Sequence, residues 1–131
     1  MSQENVEIVR EGWDAWIRGD LPGLLRQLDP DVVWDTSHFR DWPEAAYYGI
    51  SGVKRFLNEW LEVWDDYETV IEDVIAHADD RVLSLIRHQG KGRGSGAPMT
   101  LEMAQIATLR DGRITRFDNY DDQAQAREAA G

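Results

Sequence analysis

Side chains suited to acid–base chemistry are concentrated near the C-terminus, in the stretch RFDNYDD from Arg116 to Asp122. Its last five residues contain three aspartates and one asparagine. A carboxylate surrounded by apolar groups has a raised pKa and can remove a proton next to a carbonyl, while an amide N–H can stabilise the enolate oxygen that forms. The chemistry open to this stretch therefore depends on which of its side chains face the interior.

One polar side chain interrupts an apolar strand face just before this stretch. In MTLEMAQIATL, from Met99 to Leu109, every second residue counted from Met99 is apolar except Gln105. Burying an amide without a partner costs about 1–3 kcal/mol. We therefore expect Gln105 to have a hydrogen-bond partner or a ligand inside the fold.

Two turn geometries compete between these strands, and they turn opposite faces of the last strand inward. A two-residue type I′ loop at Asp111–Gly112 pairs Arg110 with Arg113 and buries the even-numbered residues from 118 to 122. A three-residue turn that starts at Arg110, with Gly112 as a left-handed bulge, pairs Leu109 with Arg113 instead. The residues that then share the face of Gln105 are Phe117, Asn119 and Asp121.

We favour the three-residue turn because the two-residue loop buries Arg116 opposite Ala107, which is costly. The favoured geometry places Phe117 beside Gln105 and leaves Arg116 and Asp118 to pair in solvent. The alternative is that Asp121, at the end of the strand, is exposed to solvent and caps the C-terminal helix. The predicted catalytic residues are Asp121 as the base, with Gln105 and Asn119 as hydrogen-bonding groups.

The elements that position these groups change from helices to strands along the chain. An apolar period of 3.6 predicts an amphipathic helix that ends near Gly19, and a third helix that begins at its N-cap Ser51 and runs to Trp64. Between them, Asp20 caps a short helix that Asp29-Pro30 closes. Strands are predicted at DVVWDTS, YETVIEDVIAHA, RVLSLIRHQGK, MTLEMAQIATL and RITRFDNYD. This order predicts one α+β domain over residues 1–131.

Composition excludes several kinds of site and partner. The chain has no cysteine, and its three histidines lack the spacing of a metal site. A net charge of −11 without a basic stripe argues against nucleic acid and anionic membranes as partners. No apolar run approaches the roughly 18 residues of a spanning helix, and the N-terminus does not resemble a secretory signal. We expect a cytoplasmic protein without a metal site.

Three stretches resemble the SnoaL-like family of the nuclear-transport-factor-2-like superfamily: AWIRGDLPGLLRQLDPDVVW from Ala15, YYGISGVKRFLNEW from Tyr47 and TLRDGRITRFDNY from Thr108. The resemblance implies a cone-shaped, curved antiparallel sheet closed by N-terminal helices around a pocket, as in cystatin-like folds. It also implies a hydrophobic small molecule as the ligand, a homodimer and no cofactor.

Aromatic side chains on the helices and in the loop HFRDWPEAAYYG are suited to line such an apolar pocket, because their rings cover much surface at low conformational cost. The residues predicted to contact the ligand are Trp13, Trp16, Trp34, Thr36, His38, Tyr48, Trp60, Met103 and Phe117.

The resemblance leaves the reaction open. Aligned on this chain, ketosteroid isomerases have their base at Thr36, their tyrosine at Gly12 and their acid at Gln105, and none of these residue types is kept. SnoaL-type polyketide cyclases have an aspartate at the position of Asn119, so Asp121 would have to replace it. The predictions are an isomerase or cyclase acting on a hydrophobic carbonyl compound, or a non-catalytic ligand-binding or dimerisation module. A limonene-type epoxide hydrolase fits less well.

Overall fold

Four helices and six strands form within residues 2–130, the range that the computed structural model describes. Met1 and Gly131, the ends of the predicted domain, lie outside that range. The helices are α1 (Ser2–Ile17), α2 (Leu21–Leu25), α3 (Gly49–Glu62) and α4 (Gln123–Ala130). The strands are β1 (Leu28–His38), β2 (Ala46–Tyr48), β3 (Trp64–Ala78), β4 (Arg81–Gly92), β5 (Pro98–Arg110) and β6 (Arg113–Tyr120).

All six strands belong to one sheet, in the order β2-β1-β6-β5-β4-β3. The predicted antiparallel pairing holds except between β1 and β6, which run parallel. A parallel pair needs a long connection, and here β2, α3 and the β3–β5 meander lie between the two strands. Three register shifts along β3 bend that strand, because a bulge adds local twist, and they curve the sheet.

α1 and α3 cover one face of the sheet, which we call the inner face. α1 lies on β3 and β4, and α3 lies on β1 and β2. The buried residues of α3 recur at helical spacing from Gly52 to Trp60. Burying one large side chain such as Phe56 contributes about 1.5–3 kcal/mol, so this apolar stripe is what holds the helix. In α2 the predicted cap is confirmed, since Asp20 Oδ1 accepts from the Gly23 N–H at 3.0 Å.

Three predicted boundaries are wrong. α3 begins at Gly49 rather than Ser51, and its N-cap Tyr48 makes no side-chain cap hydrogen bond. Gly49 has a φ of 70°, which a residue without Cβ adopts readily, so the chain passes from β2 into the helix directly. Trp64, predicted to be helical, is the first residue of β3, and Asp29-Pro30 lies within β1.

The loop between β5 and β6 also differs from the favoured prediction. Asp111 and Gly112 have φ values of 52° and 77°, and Arg110 pairs with Arg113 across them. Positive φ at both central residues is typical of a two-residue type I′ loop. The predicted three-residue turn is therefore wrong.

A bulge beyond this loop nevertheless restores the predicted inner face. Leu109 pairs with Ile114 whereas Thr108 pairs with Arg116, which leaves Thr115 as an extra residue in β6. The direct pairs that follow are Ala107 with Phe117 and Gln105 with Asn119. The prediction that these four residues share a face is confirmed, but its cause is the bulge rather than the length of the turn.

The outer face of the sheet has its own small core beneath α4. The members of this cluster are Leu83, Leu85, Ala104, Ile106, Tyr120, Ala126 and Ala130. Beside it, Arg116 Nε donates to Asp118 Oδ1 at 3.0 Å, and Arg116 Nη2 donates to Asp35 Oδ2 at 3.2 Å. The predicted pairing of Arg116 with Asp118 is thus confirmed. Of the helices in the described part of the chain, none has the length and apolarity that crossing a bilayer requires.

Candidate functional site

The inner face of the sheet, together with α1, α2 and α3, lines a partly open cavity of about 60 Å³. A water molecule needs about 10–15 Å³ of such space, so the cavity holds about four to six waters or a compact organic molecule. Its aromatic wall consists of Trp13, Trp16, Trp34, Phe39, Phe56, Trp60, Tyr67 and Phe117. Such a wall favours an apolar occupant whose orientation is set by a few polar groups.

The first polar group of the cavity is the amide pair, Gln105 and Asn119. Gln105 on β5 and Asn119 on β6 are direct cross-strand partners, and Gln105 Nε2 donates to Asn119 Oδ1 at 2.9 Å. Asn119 Nδ2 in turn donates to the main-chain oxygen of Asp35 in β1 at 2.9 Å. The predicted need of Gln105 for a partner is confirmed, and that partner is Asn119.

The neighbouring main chain fixes which way these amides point. The Asp35 carbonyl can only accept, so it requires the NH₂ group of Asn119 and leaves Asn119 Oδ1 for Gln105 Nε2. The carbonyl oxygen of Gln105 then has no hydrogen bond to any residue in the described range, although the side chain is only 4% exposed and lines the cavity. This oxygen is an acceptor held ready for a group inside the cavity.

The second polar group is the hydroxyl–imidazole cluster, formed by Trp16, Trp60, Tyr67, Thr69 and His88. Trp16 Nε1 donates to Thr69 Oγ1 at 3.0 Å, and Thr69 Oγ1 donates to the Tyr67 hydroxyl at 2.8 Å. Trp60 Nε1 also donates to that hydroxyl at 3.0 Å. The Tyr67 oxygen lies 2.7 Å from His88 Nδ1. The Tyr67 oxygen thus accepts from Trp60 and Thr69 and lies within hydrogen-bond distance of His88.

Burial keeps both titratable members of this cluster uncharged at neutral pH. Burial lowers the pKa of His88 from its usual 6.5 to about 4, and it raises the pKa of Tyr67. No Asp, Glu, Lys or Arg is among the residues of the 2–130 range that line the cavity. Within that range, too, no three His, Asp or Glu side chains are grouped so as to hold a metal ion. The cavity is therefore electrically neutral.

An open groove of about 370 Å³ adjoins the cavity and shares Trp16, Leu57 and Tyr67 with it. The rim of this groove carries two exposed apolar side chains, Ile17 at 53% and Leu61 at 39% exposure. Trp16 stands between the two spaces, held by its hydrogen bond to Thr69 and by an edge-on contact with Tyr67 at 6.4 Å. The groove and the cavity thus meet at Trp16.

Most of the residues predicted to form the site do line the cavity. They are Trp13, Trp16, Trp34, Trp60, Met103, Gln105, Phe117 and Asn119. They come from α1, α3, β1, β5 and β6, so the fold brings together side chains that are far apart in sequence.

Asp121 does not reach the cavity, and its predicted position on the inner face is wrong. Its Oδ2 accepts from the main-chain N–H of Arg40 at 3.0 Å and from Arg40 Nε at 3.3 Å. β6 ends at Tyr120, so strand alternation no longer governs where the next side chain points. The carboxylate therefore holds the loop after β1 rather than facing the aromatic wall.

Three residues predicted to contact a ligand also lie outside the cavity lining. Thr36 is 1% exposed, and its hydroxyl donates to the carbonyl of Glu44 in the covering loop. His38 stacks on Tyr120 with ring centroids 4.2 Å apart. Tyr48 is 70% exposed. The loop after β1 thus closes over Thr36 instead of leaving it open to the cavity.

The residues that sequence reasoning missed are on β3 and β4, above all Tyr67 and His88. Gln105 was predicted because it is a polar residue on an otherwise apolar strand face. β4 has the same pattern, since Ser84 and His88 are polar residues on the same side as Ile86. Trp13 Nε1 donates to Ser84 Oγ at 3.0 Å, so Ser84 already has its partner. In β4, however, the two faces cannot be told apart by hydrophobicity, because the opposite side, at positions such as Leu85, is buried as well.

Sequence and structure comparisons agree with this architecture. A family model for the SnoaL-like domain matches residues 9–117. Uncharacterized protein Rv0034 of Mycobacterium tuberculosis is 28% identical over 120 residues, which span 88% of this chain and 87% of the relative.

Two solved structures illustrate the likeness in fold. TerC, co-crystallised with polyporic acid, is 23% identical with a TM-score of 0.77, over 97% of this chain and 98% of TerC. An NTF2-like protein of unknown function from Burkholderia pseudomallei is 24% identical with a TM-score of 0.78, over 95% of each chain. Likeness at this level establishes the fold and not a reaction. With the family match over residues 9–117 and the curved sheet that α1 and α3 cover, the chain belongs to the SnoaL-like family.

Proposed function

We propose that the protein binds a small, uncharged and mostly apolar molecule in the inner cavity through its amide pair. The observation that carries this proposal is the unpartnered carbonyl oxygen of Gln105, which lies in an aromatic cavity on a side chain only 4% exposed. This oxygen is not among the fully enclosed atoms without a partner, so it reaches the free space of the cavity, where a ligand N–H or O–H can donate to it in place of a water molecule.

Charge and size restrict the ligand further. The lining carries no opposite charge to compensate an ionised group, so a charged ligand would lose its hydration without gaining a partner. The cavity volume of about 60 Å³ favours a compact molecule. TerC was co-crystallised with polyporic acid, which supports the view that this fold is able to hold a small organic molecule.

Proton transfer on a bound ketone, as in an isomerase or cyclase, is the second candidate function. One observation favours it: a neutral histidine in an apolar site is a group that polarises a carbonyl. The reaction also needs a base, and the cavity lining contains no carboxylate among the described residues. Gln105 and Asn119 are not basic, and Asp121 binds Arg40 outside the cavity. We therefore place ligand binding ahead of catalysis.

Homodimerisation, which the family resemblance implies, receives less support. α4 covers the apolar centre of the outer face, so a partner using that face would meet polar groups or would have to displace α4. Light scattering at micromolar concentration distinguishes the 15.0 kDa monomer from a dimer.

The binding proposal is tested with cyclohexanol, whose hydroxyl can donate to Gln105 Oε1, and with methylcyclohexane, which has a similar shape but no oxygen. We expect cyclohexanol to shift the indole N–H signals of Trp13, Trp16 and Trp60 in ¹H–¹⁵N spectra, and methylcyclohexane to shift them only at an about fivefold higher concentration. Gly12 offers a matched pair of variants because it lines the cavity, and an added Cβ would lie at an ordinary 3.5 Å from Leu24. Gly12→Ala should retain binding, whereas Gly12→Leu should fill the cavity and abolish it. Absence of any shift at millimolar ligand would contradict the proposal.

Deuterium exchange separates binding from proton transfer. The protons next to the carbonyl of cyclohexanone exchange slowly in D₂O, and a proton-transfer enzyme accelerates this exchange. We expect the protein to bind the ketone without accelerating the exchange. If the exchange rate rises in proportion to protein concentration, proton transfer becomes the better supported function.

A further inference from the structure

We infer that the cavity recognises its ligand at two ends, with His88 Nε2–H donating to a carbonyl-type oxygen and Gln105 Oε1 accepting from a hydroxyl group. The ligand class is then a neutral hydroxy ketone with an apolar middle. This inference rests on the proposed function, because it requires a ligand in the cavity.

The hydroxyl–imidazole cluster fixes His88 as a donor. The Tyr67 oxygen receives protons from Trp60 and Thr69, so its own proton goes to His88 Nδ1, 2.7 Å away. A neutral imidazole whose Nδ1 accepts carries its proton on Nε2. None of the hydrogen bonds within the described range engages His88 Nε2, and this atom is not among the fully enclosed ones without a partner. Nε2–H therefore reaches the free space that His88 lines.

The amide pair has the opposite requirement at its end of the cavity. The Nε2 group of Gln105 is engaged by Asn119, and its Oε1 is left as an unpartnered acceptor. The indole of Trp13 on α1 is a nearby donor, but it already donates to Ser84, the cross-strand partner of Gln105. A ligand hydroxyl is the group that satisfies Oε1.

The two ends are separated along β4. Ser84, beside Gln105, and His88 lie four residues apart on the inner side of this strand, which places their Cα atoms about 13 Å apart. Ile86 lines the cavity between them. The ligand is therefore elongated, with polar atoms at its ends and an apolar ring or chain between.

A ligand of this length must displace the side chain of Trp16, which lies between the cavity and the groove. An enclosed volume of about 150 Å³ is known to hold benzene, whereas this cavity has about 60 Å³. The adjoining groove of about 370 Å³ meets the cavity at Trp16, which a single hydrogen bond ties to Thr69. Rotation of this indole joins the two spaces.

Three compounds test the two ends separately by calorimetric titration. α-Methylstyrene has the shape of acetophenone without its carbonyl oxygen, and 4-hydroxyacetophenone adds a hydroxyl at the far end. We expect acetophenone to bind about fivefold more tightly than α-methylstyrene, and 4-hydroxyacetophenone about fivefold more tightly than acetophenone. His88→Phe should abolish the carbonyl preference alone, and Gln105→Met should abolish the hydroxyl preference alone.

A measurement on the unaltered protein avoids dependence on the folding of the variants. ¹⁵N spectra should show His88 protonated at Nε2, with a signal that moves on addition of acetophenone and not of α-methylstyrene. Protonation at Nδ1, or equal affinities for acetophenone and α-methylstyrene, overturns two-ended recognition while leaving the proposed binding intact. If 4-hydroxyacetophenone binds no more tightly than acetophenone, the role of the amide pair is overturned as well. Failure of all three to bind overturns the proposed function as well.

Discussion

The cavity contains two polar groups that are built in different ways. The amide pair joins two residues of one hairpin and ends on a main-chain carbonyl of β1. The hydroxyl–imidazole cluster draws one side chain each from α1, α3 and β4 and two from β3. Breaking the amide pair disturbs a local contact, whereas breaking the cluster disturbs the docking of both helices on the sheet. The hydroxyl–imidazole cluster should therefore contribute more to stability than the amide pair.

The largest effect is expected for Tyr67→Phe. The change removes the acceptor of Trp60 Nε1 and Thr69 Oγ1 and the donor to His88 Nδ1. Each buried group left unpaired costs about 1–3 kcal/mol, so the free energy of unfolding should fall by about 3 kcal/mol. Urea unfolding at pH 7 measures it. Tyr48→Phe, at a position 70% exposed, is the control and should change stability by less than about 0.5 kcal/mol. Equal urea midpoints for Tyr67→Phe and Tyr48→Phe would show that the cluster does not contribute to stability.

An effect of similar size is expected from pH, and only the cluster should show it. The pKa of His88 is about 4 in the folded protein and about 6.5 when the chain is unfolded, so the unfolded chain takes up the proton first as pH falls. The contribution of His88 is complete above pH 6.5, and about 3 kcal/mol of it is lost on descent toward pH 4. His88→Gln should flatten the profile in that window by this amount, because glutamine does not titrate. His77→Gln should keep the original slope; if it flattens the profile equally, His88 is not the cause.

The same comparison explains how much of the site could be predicted from the sequence. Strand alternation predicts Gln105 and its face-sharing with Phe117 and Asn119, because the face of β5 that contains Gln105 is otherwise apolar and the opposite face of β6 carries Arg116 and Asp118. The register of β6 is harder to predict: two turn geometries fit the sequence, and the bulge at Thr115 that decides which face points inward has no strong local signature. The general fold followed from element order and family resemblance.

The rest of the site depends on tertiary contacts. The position of His88 in the site could not be predicted, because α4 buries the other side of β4 and both sides of this strand are therefore largely apolar. Tyr67 belongs to a strand that begins three residues earlier, at Trp64, although the apolar spacing predicts that Trp64 is helical. Asp121 was misplaced because it lies one residue past the end of β6, where Arg40 from a distant loop binds it. In each case the deciding neighbour is remote in the chain.

The smallest effect is expected for the amide pair, and a double-variant cycle measures it. Asn119→Leu keeps the volume of the side chain but leaves Gln105 Nε2 without its acceptor and Asp35 without one donor, which should cost about 1–2 kcal/mol. Gln105→Leu alone should cost a similar amount, because Asn119 Oδ1 is then left unpaired. The double variant should cost about 1 kcal/mol less than the sum, since each change has already removed the other's partner. Strict additivity in urea unfolding would mean that water in the cavity, rather than the partner amide, satisfies these groups. The amide pair would then be two independent contacts, and its contrast with the hydroxyl–imidazole cluster would be greater still.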